Sequence, residues 1–252
     1  MQQTKILGVQ VSITTTRQIL DLIRASVAST KALTIYPVNV DVVMKSRNES
    51  PFRDILNRAD ITPSDGLPIV WASRFLGAPI KEKTTGWILF ENICHEFSQN
   101  NSRVFFLGGE VGIPERAAQN LRKKYPGLNI VGTYSPPQGF EDDESESEKV
   151  IRLVRAAKPD IVFVGLGAPK QEKWIDGNRE TLGAAVLMAV GGSFDFYAGK
   201  VRRPPLFFVR IGLGWLWRIV QEPRRLWKRY LVEDSPFFYY VLQQKRRVYS
   251  DP

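Results

Sequence analysis

Five short apolar runs, separated by longer stretches with helical spacing, constrain the fold of this chain more than any other feature. Residues 32–38, 104–107, 129–131, 161–164 and 186–190 are rich in β-branched and aromatic side chains. Such runs suit strands, whose side chains sit on pleated and mostly covered surfaces. Residues 114–125 and 146–157 instead repeat their apolar positions at helical intervals. Strands that alternate with helices are joined by crossovers, and crossovers make neighbouring strands parallel. The expected fold is therefore α/β, a Rossmann-like and mostly parallel sheet with helices on both faces. The 252 residues suffice for one or two domains with a substantial core.

Three of the runs end in glycine and a polar loop: VFFLGGEVGIPE at 104–115, IVFVGLGAPKQE at 161–172 and VLMAVGGSFDFYAG at 186–199. In open α/β sheets, ligands bind beyond the carboxyl ends of the strands. Glycine there lets backbone approach a phosphate, and a helix N-terminus adds free N–H groups. Pro114 suits the first turn of such a helix. One glycine turn after a strand is ordinary turn geometry. Three in one sheet favour a nucleotide or another phosphate-bearing ligand. The acidic run at 138–148, QGFEDDESESE, reads as a solvated loop entering a helix.

Charge divides the chain unevenly. From residue 200 onward there are 12 Lys and Arg against 4 Asp and Glu, so this segment carries +8 of the total +9. Three of the six tryptophans, Trp215, Trp217 and Trp227, lie there too. Cations interleaved with aromatics suit an anionic membrane surface. Nucleic acid is the rival partner of a basic patch, but the apolar content of the segment favours the membrane, and no nucleic-acid partner is expected. The expected division is a body over 1–200 and a basic, aromatic-rich, membrane-associating appendage over 201–252. Pro204, Pro205 and Pro223 break the appendage into helical pieces. On one continuous helix, Arg203, Arg210, Arg218 and Arg225 would fall within about a third of a turn. No run reaches the ~20 apolar residues of a spanning helix; the nearest, 206–220, is interrupted by Arg210 and Arg218. The start of the chain has no apolar core or cleavage site typical of a secretory signal. A single cysteine, Cys94, allows no intrachain disulfide and fits a reducing compartment.

The chemistry available is narrow. His95 is the only histidine, and its neighbour Cys94 would point about 100° away on a helix, which is poor geometry for a dyad. A structural role is expected for both, and a His/Cys metal cluster is excluded by count. General base work then falls to a carboxylate. Asp65, in TPSDG at 62–66, is the candidate; a turn-forming or capping role is the alternative from spacing alone. No Asp-x-Asp pair follows an apolar strand, so no metal is expected, and a diphosphate leaving group would rely on backbone N–H groups and cationic side chains.

Several segments resemble the WecG/TagA/CpsF family of glycosyltransferases. The strongest match is VGLGAPKQEKW at 164–174, followed by AVGGSFDFYAG at 189–199. RRPPLFFVRIGLGWLWRIVQEPRRLWKRY at 202–230 resembles the family's R-A-P, G-L-E-W-L-x-R-L and E-P-x-R-x-x-R-Y block. Residues 37–39 and 64–66 resemble the segments carrying its site Asn and its A-D-G aspartate. The resemblance implies an inverting transfer from a UDP-sugar to a saccharide on a polyprenyl pyrophosphate, without cofactor or obligatory metal, in exopolysaccharide, capsule or wall-polymer synthesis. It implies an α/β body and a C-terminal appendage that docks peripherally on the cytoplasmic face of the plasma membrane and helps complete the site. Residue by residue, Asp65 corresponds to the base and Asn39 to its positioning partner. Gly108, Gly109, Gln171, Gly191, Gly192, Asp195 and Lys83 fall on the donor side, and Arg203, Arg210, Arg218 and Arg225 on the acceptor and membrane side.

The chain also departs from the family pattern. Pro37 stands where Thr is common, Lys83 for Arg, Ile88 for Asp, and Gly214 for the Glu of G-L-E-W. Lys keeps the charge of Arg but loses its bidentate fork. These changes point away from the N-acetylmannosamine transferases and towards another hexose. They leave sugar, linkage and oligomeric state open. Two other readings, a nucleotide-dependent oxidoreductase and a noncatalytic basic adaptor, explain less. The loop at 107–114 lacks the G-x-G-x-x-G fingerprint, and an adaptor leaves the glycine loops without a role.

Overall fold

The computed structural model describes residues 1–29 and 31–250. The side chains of Arg210 and Arg225, two of the expected appendage cations, lie outside those described. The chain opens with an antiparallel hairpin, β1 (Gln3–Ile6) and β2 (Val9–Ser12). Helix α1 (Thr16–Ser29) follows, then β3 (Leu33–Ile35) and four helices, α2 (Val40–Asn48), α3 (Ser50–Arg58), α4 (Leu67–Phe75) and α5 (Gly86–Phe97). From there strands and helices alternate: β4 (Arg103–Gly108), α6 (Ile113–Lys124), β5 (Asn129–Tyr134), α7 (Glu144–Ala157), β6 (Ile161–Gly165), α8 (Lys170–Asn178), β7 (Val186–Ala189) and α9 (Ser193–Tyr197).

Strands β3 to β7 form one parallel sheet in the order β3-β7-β6-β4-β5. They are the five apolar runs of the sequence. Every residue of β6 and β7 is buried, as expected for strands covered on both faces. The two-residue period of a strand sorts their side chains into two cores. Val162, Val164, Leu187 and Ala189 join Val42, Phe52, Val150 and Trp174 on one face. Ile161, Phe163, Val186 and Met188 join Ile23, Phe90, Leu121 and Phe194 on the other.

Beyond the edge strand β3, the chain over 61–64 runs alongside through isolated parallel bridges, Ile35 with Ile61 and Val38 with Ser64. The Asp65 N–H donates to the Val38 carbonyl at 2.8 Å. Two extended segments therefore end side by side and release Asn39 and Asp65 at the same edge. At the carboxyl ends of the central strands the loops approach closely. Gly108 has φ +101°, and a Cβ there would lie 2.6 Å from the Gly165 carbonyl oxygen, so only glycine fits.

The C-terminal segment is helical but not continuous. It consists of α10 (Leu206–Arg210), α11 (Gly214–Gln221), α12 (Pro223–Lys228), a π-helical turn over Arg229–Glu233, and α13 (Phe237–Ser250). Gly212, with φ +81° and its Cα face against Leu67, breaks the first stretch where no proline stands. An unbroken arginine stripe therefore does not form. The segment is also less separate than a boundary at residue 201 suggests. Phe237 and Val241 of α13 are buried in the core containing Phe52 and Leu187. Gln244 accepts from the Leu7 N–H and donates to the Lys5 carbonyl, both at 2.8 Å. The Arg47 guanidinium lies 3.6 Å over the Tyr240 ring.

Candidate active site

A cavity of about 480 Å³ opens where the carboxyl edge of the sheet meets the C-terminal helices. Body and appendage both line it, from Asn39 and Asp65 to Arg218 and Phe238. Asp65 is fixed from two sides. Its Oδ1 accepts from the Gly86 N–H at 3.1 Å, at the start of α5, and its Oδ2 from the Asn39 amide at 3.4 Å. Asn39 is itself locked as the N-cap of α2, its Oδ1 accepting from the Val42 N–H at 3.1 Å. Burial pushes the Asp65 carboxyl above its ordinary range; these hydrogen bonds and the charges of Arg229 and Arg218 act against that rise. A carboxylate so placed can take a proton more readily than an exposed one. Pro37 packs beside it: a Cβ built on Gly86 would touch the Pro37 ring at 3.5 Å and the Asp65 carboxylate at 3.7 Å. Pro37 thus presents an apolar ring beside the carboxylate.

Lys83 also lines the cavity. Its ammonium donates to the Val209 carbonyl of α10 at 2.6 Å, tying the appendage to the body. Burial lowers its pKa, while Asp65 opposes the shift. Arg218 reaches from α11 to the third glycine loop: a Cβ on Gly192 would meet its guanidinium at 3.5 Å and the Asp195 carboxylate at 3.4 Å. Arg218 also pairs with Glu222 at 3.2 Å. Arg203 turns inward, over the Tyr197 ring at 4.0 Å and beside Glu91 at 3.5 Å, so it fastens the segment to the body and does not continue a cationic face with Arg218.

The other residues expected on the donor side gather around the glycine loops, outside the lining of this cavity. The Gly109 N–H donates to the Gly165 carbonyl at 2.9 Å. Gln171 is buried with its amide fully engaged: Oε1 accepts from the Gly167 and Gly191 N–H groups at 3.2 and 3.0 Å, and Nε2 donates to Glu172 at 2.8 Å. Gln171 thus clasps two glycine loops from beneath. Glu172 is fully buried and its pKa rises to about 7 through desolvation. Asp195 stands on α9, with the Lys200 ammonium 3.8 Å away.

Several cavity residues escaped the sequence reading. Arg229 points its Nε at Asp41, 3.3 Å away, and at Asp234, 3.8 Å away. Desolvation and the neighbouring Asp41 charge raise the Asp234 pKa to about 7, while Arg229 pulls it down. Arg229 and Tyr230 fall within the R-Y of the block quoted above, the only signal that marked them. His95 is exposed on α5 beside the Tyr125 ring, and Cys94 is buried; neither lines the cavity. Among the described residues no group of three His, Cys, Asp or Glu side chains converges as a metal-binding set.

A covered parallel sheet with glycine loops at its carboxyl edge and a buried carboxylate at a cavity suits an enzyme acting on a phosphate-bearing ligand. The model of the glycosyl transferase WecG/TagA/CpsF family matches residues 4–251, and the chain belongs to that family. An N-acetylglucosaminyldiphosphoundecaprenol N-acetyl-beta-D-mannosaminyltransferase from Bacillus spizizenii is 33% identical over 201 residues, covering 80% of this chain and 76% of the relative. A protein of the same name from Staphylococcus aureus is 30% identical over 244 residues, covering 96% and 92%. The chain is a glycosyltransferase.

Proposed function

We propose that the enzyme moves a hexose from a UDP-sugar to a saccharide carried on a polyprenyl diphosphate, working at a membrane surface. The observation that carries this reading is the position of Asp65, beneath a cavity whose walls come from both the body and the basic C-terminal segment. The acceptor hydroxyl oxygen attacks the anomeric carbon of the donor and its proton passes to the Asp65 carboxylate. The bond from the anomeric carbon to the diphosphate oxygen breaks, and UDP leaves with the electron pair. A single displacement of this kind inverts the anomeric centre. Asn39 holds the base in register. The glycine loops at 108–109 and 191–192 let the nucleotide diphosphate approach the backbone closely, with Gln171 setting two of the loops and Asp195 beside them. Lys83 and Arg218 supply charge to the phosphates.

The relatives' name describes an acceptor with N-acetylglucosamine on diphosphoundecaprenol, and that class of acceptor is assigned here. The donor differs from theirs on our reading, because Pro37, Lys83, Ile88 and Gly214 depart from the family pattern around the site.

Membrane association rests on the surface of the appendage. Phe207 is 65% exposed and Val220 72%, with Trp227, Leu231 and Val232 also exposed among the basic residues. Apolar and cationic groups so mixed favour an interfacial position. No helix among the described residues is long and apolar enough to cross a membrane.

The test is a panel of UDP-sugars offered with N-acetylglucosaminyl-diphosphoundecaprenol, the product being identified by mass. One UDP-sugar should extend the acceptor by one hexose. UDP should bind in titration where NAD does not. Failure of every donor, or NAD binding in place of UDP, rejects the reading.

A further inference from the structure

The cavity that holds Asp65 has an apolar side as well as a charged one. Pro68 and Trp71 of α4, Leu213 before α11 and Phe238 of α13 line it. Trp71 is 47% and Phe238 50% exposed, an uncommon state for such large apolar groups beside a polar site. The exposed surface continues outward. Phe75 stands four residues beyond Trp71, and Leu242 four beyond Phe238; both are exposed, and that spacing keeps each pair on one helix face. The two rows run in the same direction, because the Lys245 ammonium of α13 lies 5.6 Å from the Phe75 ring centre. From Phe238 to Lys245 is about 10 Å of helix. The result is an apolar trough between α4 and α13 that begins in the cavity and ends at the basic run of residues 245–247.

We infer that this trough binds the first isoprene units of the acceptor's polyprenyl chain, so that the lipid is gripped next to its diphosphate as well as held in the bilayer. The inference rests on the acceptor class proposed above. Its support is the order of surfaces. A saccharyl diphosphoprenol has a hydroxyl, two phosphates and a hydrocarbon chain. The cavity offers a carboxylate, the cations Lys83, Arg218 and Arg229, and an apolar exit. A trough facing the bilayer only would have no reason to open beside the base.

The experiment uses the full chain without membranes. Acceptors carry the same N-acetylglucosaminyl diphosphate on three isoprene units or on a methyl group, below micellar concentrations. Wild type should show kcat/KM about tenfold or more higher for the prenyl acceptor, on the scale of burying one or two isoprene methylenes and methyls. Trp71→Ser and Phe238→Ser should bring that ratio towards one. Phe207→Ser and Val220→Ser, on the appendage surface, should leave the ratio alone and weaken binding to anionic vesicles. A wild-type ratio near one overturns the inference, and so does a trough variant that loses vesicle binding but keeps its chain preference. Titration with a three-isoprene prenyl diphosphate separates this idea from the transfer reading. Binding that is lost in the two trough variants supports the trough even if no sugar is moved, and equal binding by wild type and variants overturns it.

Discussion

The body and the C-terminal segment are built from similar amounts of apolar sequence and use it in opposite ways. Strand β6 buries all five of its residues, whereas α11, with two tryptophans, buries none. In the body, strand register delivers each apolar group into one of two cores. In the segment, short helices broken at Gly212 and Pro223 leave such groups on the outside. The segment itself is divided. Helices α10 to α12 drape over the site, and α13 is built into the body through Phe237 and Val241. Hydrophobic content alone therefore does not distinguish core from exposed surface; what distinguishes them is whether a regular element packs it against another.

The largest effect should come from the body's side of the cavity. Asp65→Asn should lower turnover by about 10²–10⁴, the range for losing a general base, with UDP affinity nearly unchanged. The wild-type pH–rate profile should lose activity on the acid side at a pH above the ordinary aspartate value of ~3.9, because burial raises this pKa. Turnover near that of wild type would remove Asp65 from the role. Second, Phe237→Ala should cost about 3–5 kcal/mol in denaturant unfolding, since the ring is 1% exposed. Truncation at residue 201 should accordingly destabilise the body as well as inactivate it. A body of unchanged stability would restore a clean boundary there.

Third, Gln171→Ala leaves the Gly167 and Gly191 N–H groups without their acceptor. It should cost roughly 1–3 kcal/mol and weaken UDP binding, while leaving vesicle binding as it was. Loss of stability without loss of UDP affinity would detach the clasp from the nucleotide. The smallest effect concerns pH. The folded-state pKa of Asp234, about 7, lies above the unfolded value of ~3.9. Its contribution is therefore full at low pH and declines as pH rises through about 7. Asp234→Asn should flatten the fall of stability between about pH 4 and pH 8, measured as urea midpoints. An unchanged slope would assign the fall to Glu172, whose pKa is raised in the same sense.

The five sheet strands were legible as short runs of β-branched and aromatic residues, three of which stop at glycine. The β1–β2 hairpin was not. Its turn is Leu7–Gly8, with positive φ at both residues, and leucine in that conformation carries none of the Asn-Gly signal that marks such turns. Within the site, Asp65 was legible only with the family resemblance, since Asp before Gly is as often a turn. The break at Gly212 was hidden because no proline marks it and the close approach to Leu67 is set by tertiary packing. Gln171 stood out in the sequence as a donor-side candidate, but not as a clasp between loops. Its partners lie on two different loops, and no local pattern announces them. Arg229 was missed for the same reason, as Asp41 lies in the first quarter of the chain.

The cavity wall has a consequence in time. Asp65 leaves the ribosome long before Arg218 and Arg229 do. At about 5–20 residues per second the interval is on the order of ten seconds. During it the nascent chain holds Asp65 without the cavity wall that later closes over it. A stalled or nicked product ending before α11 therefore lacks the part of the cavity wall that Arg218 and Arg229 supply.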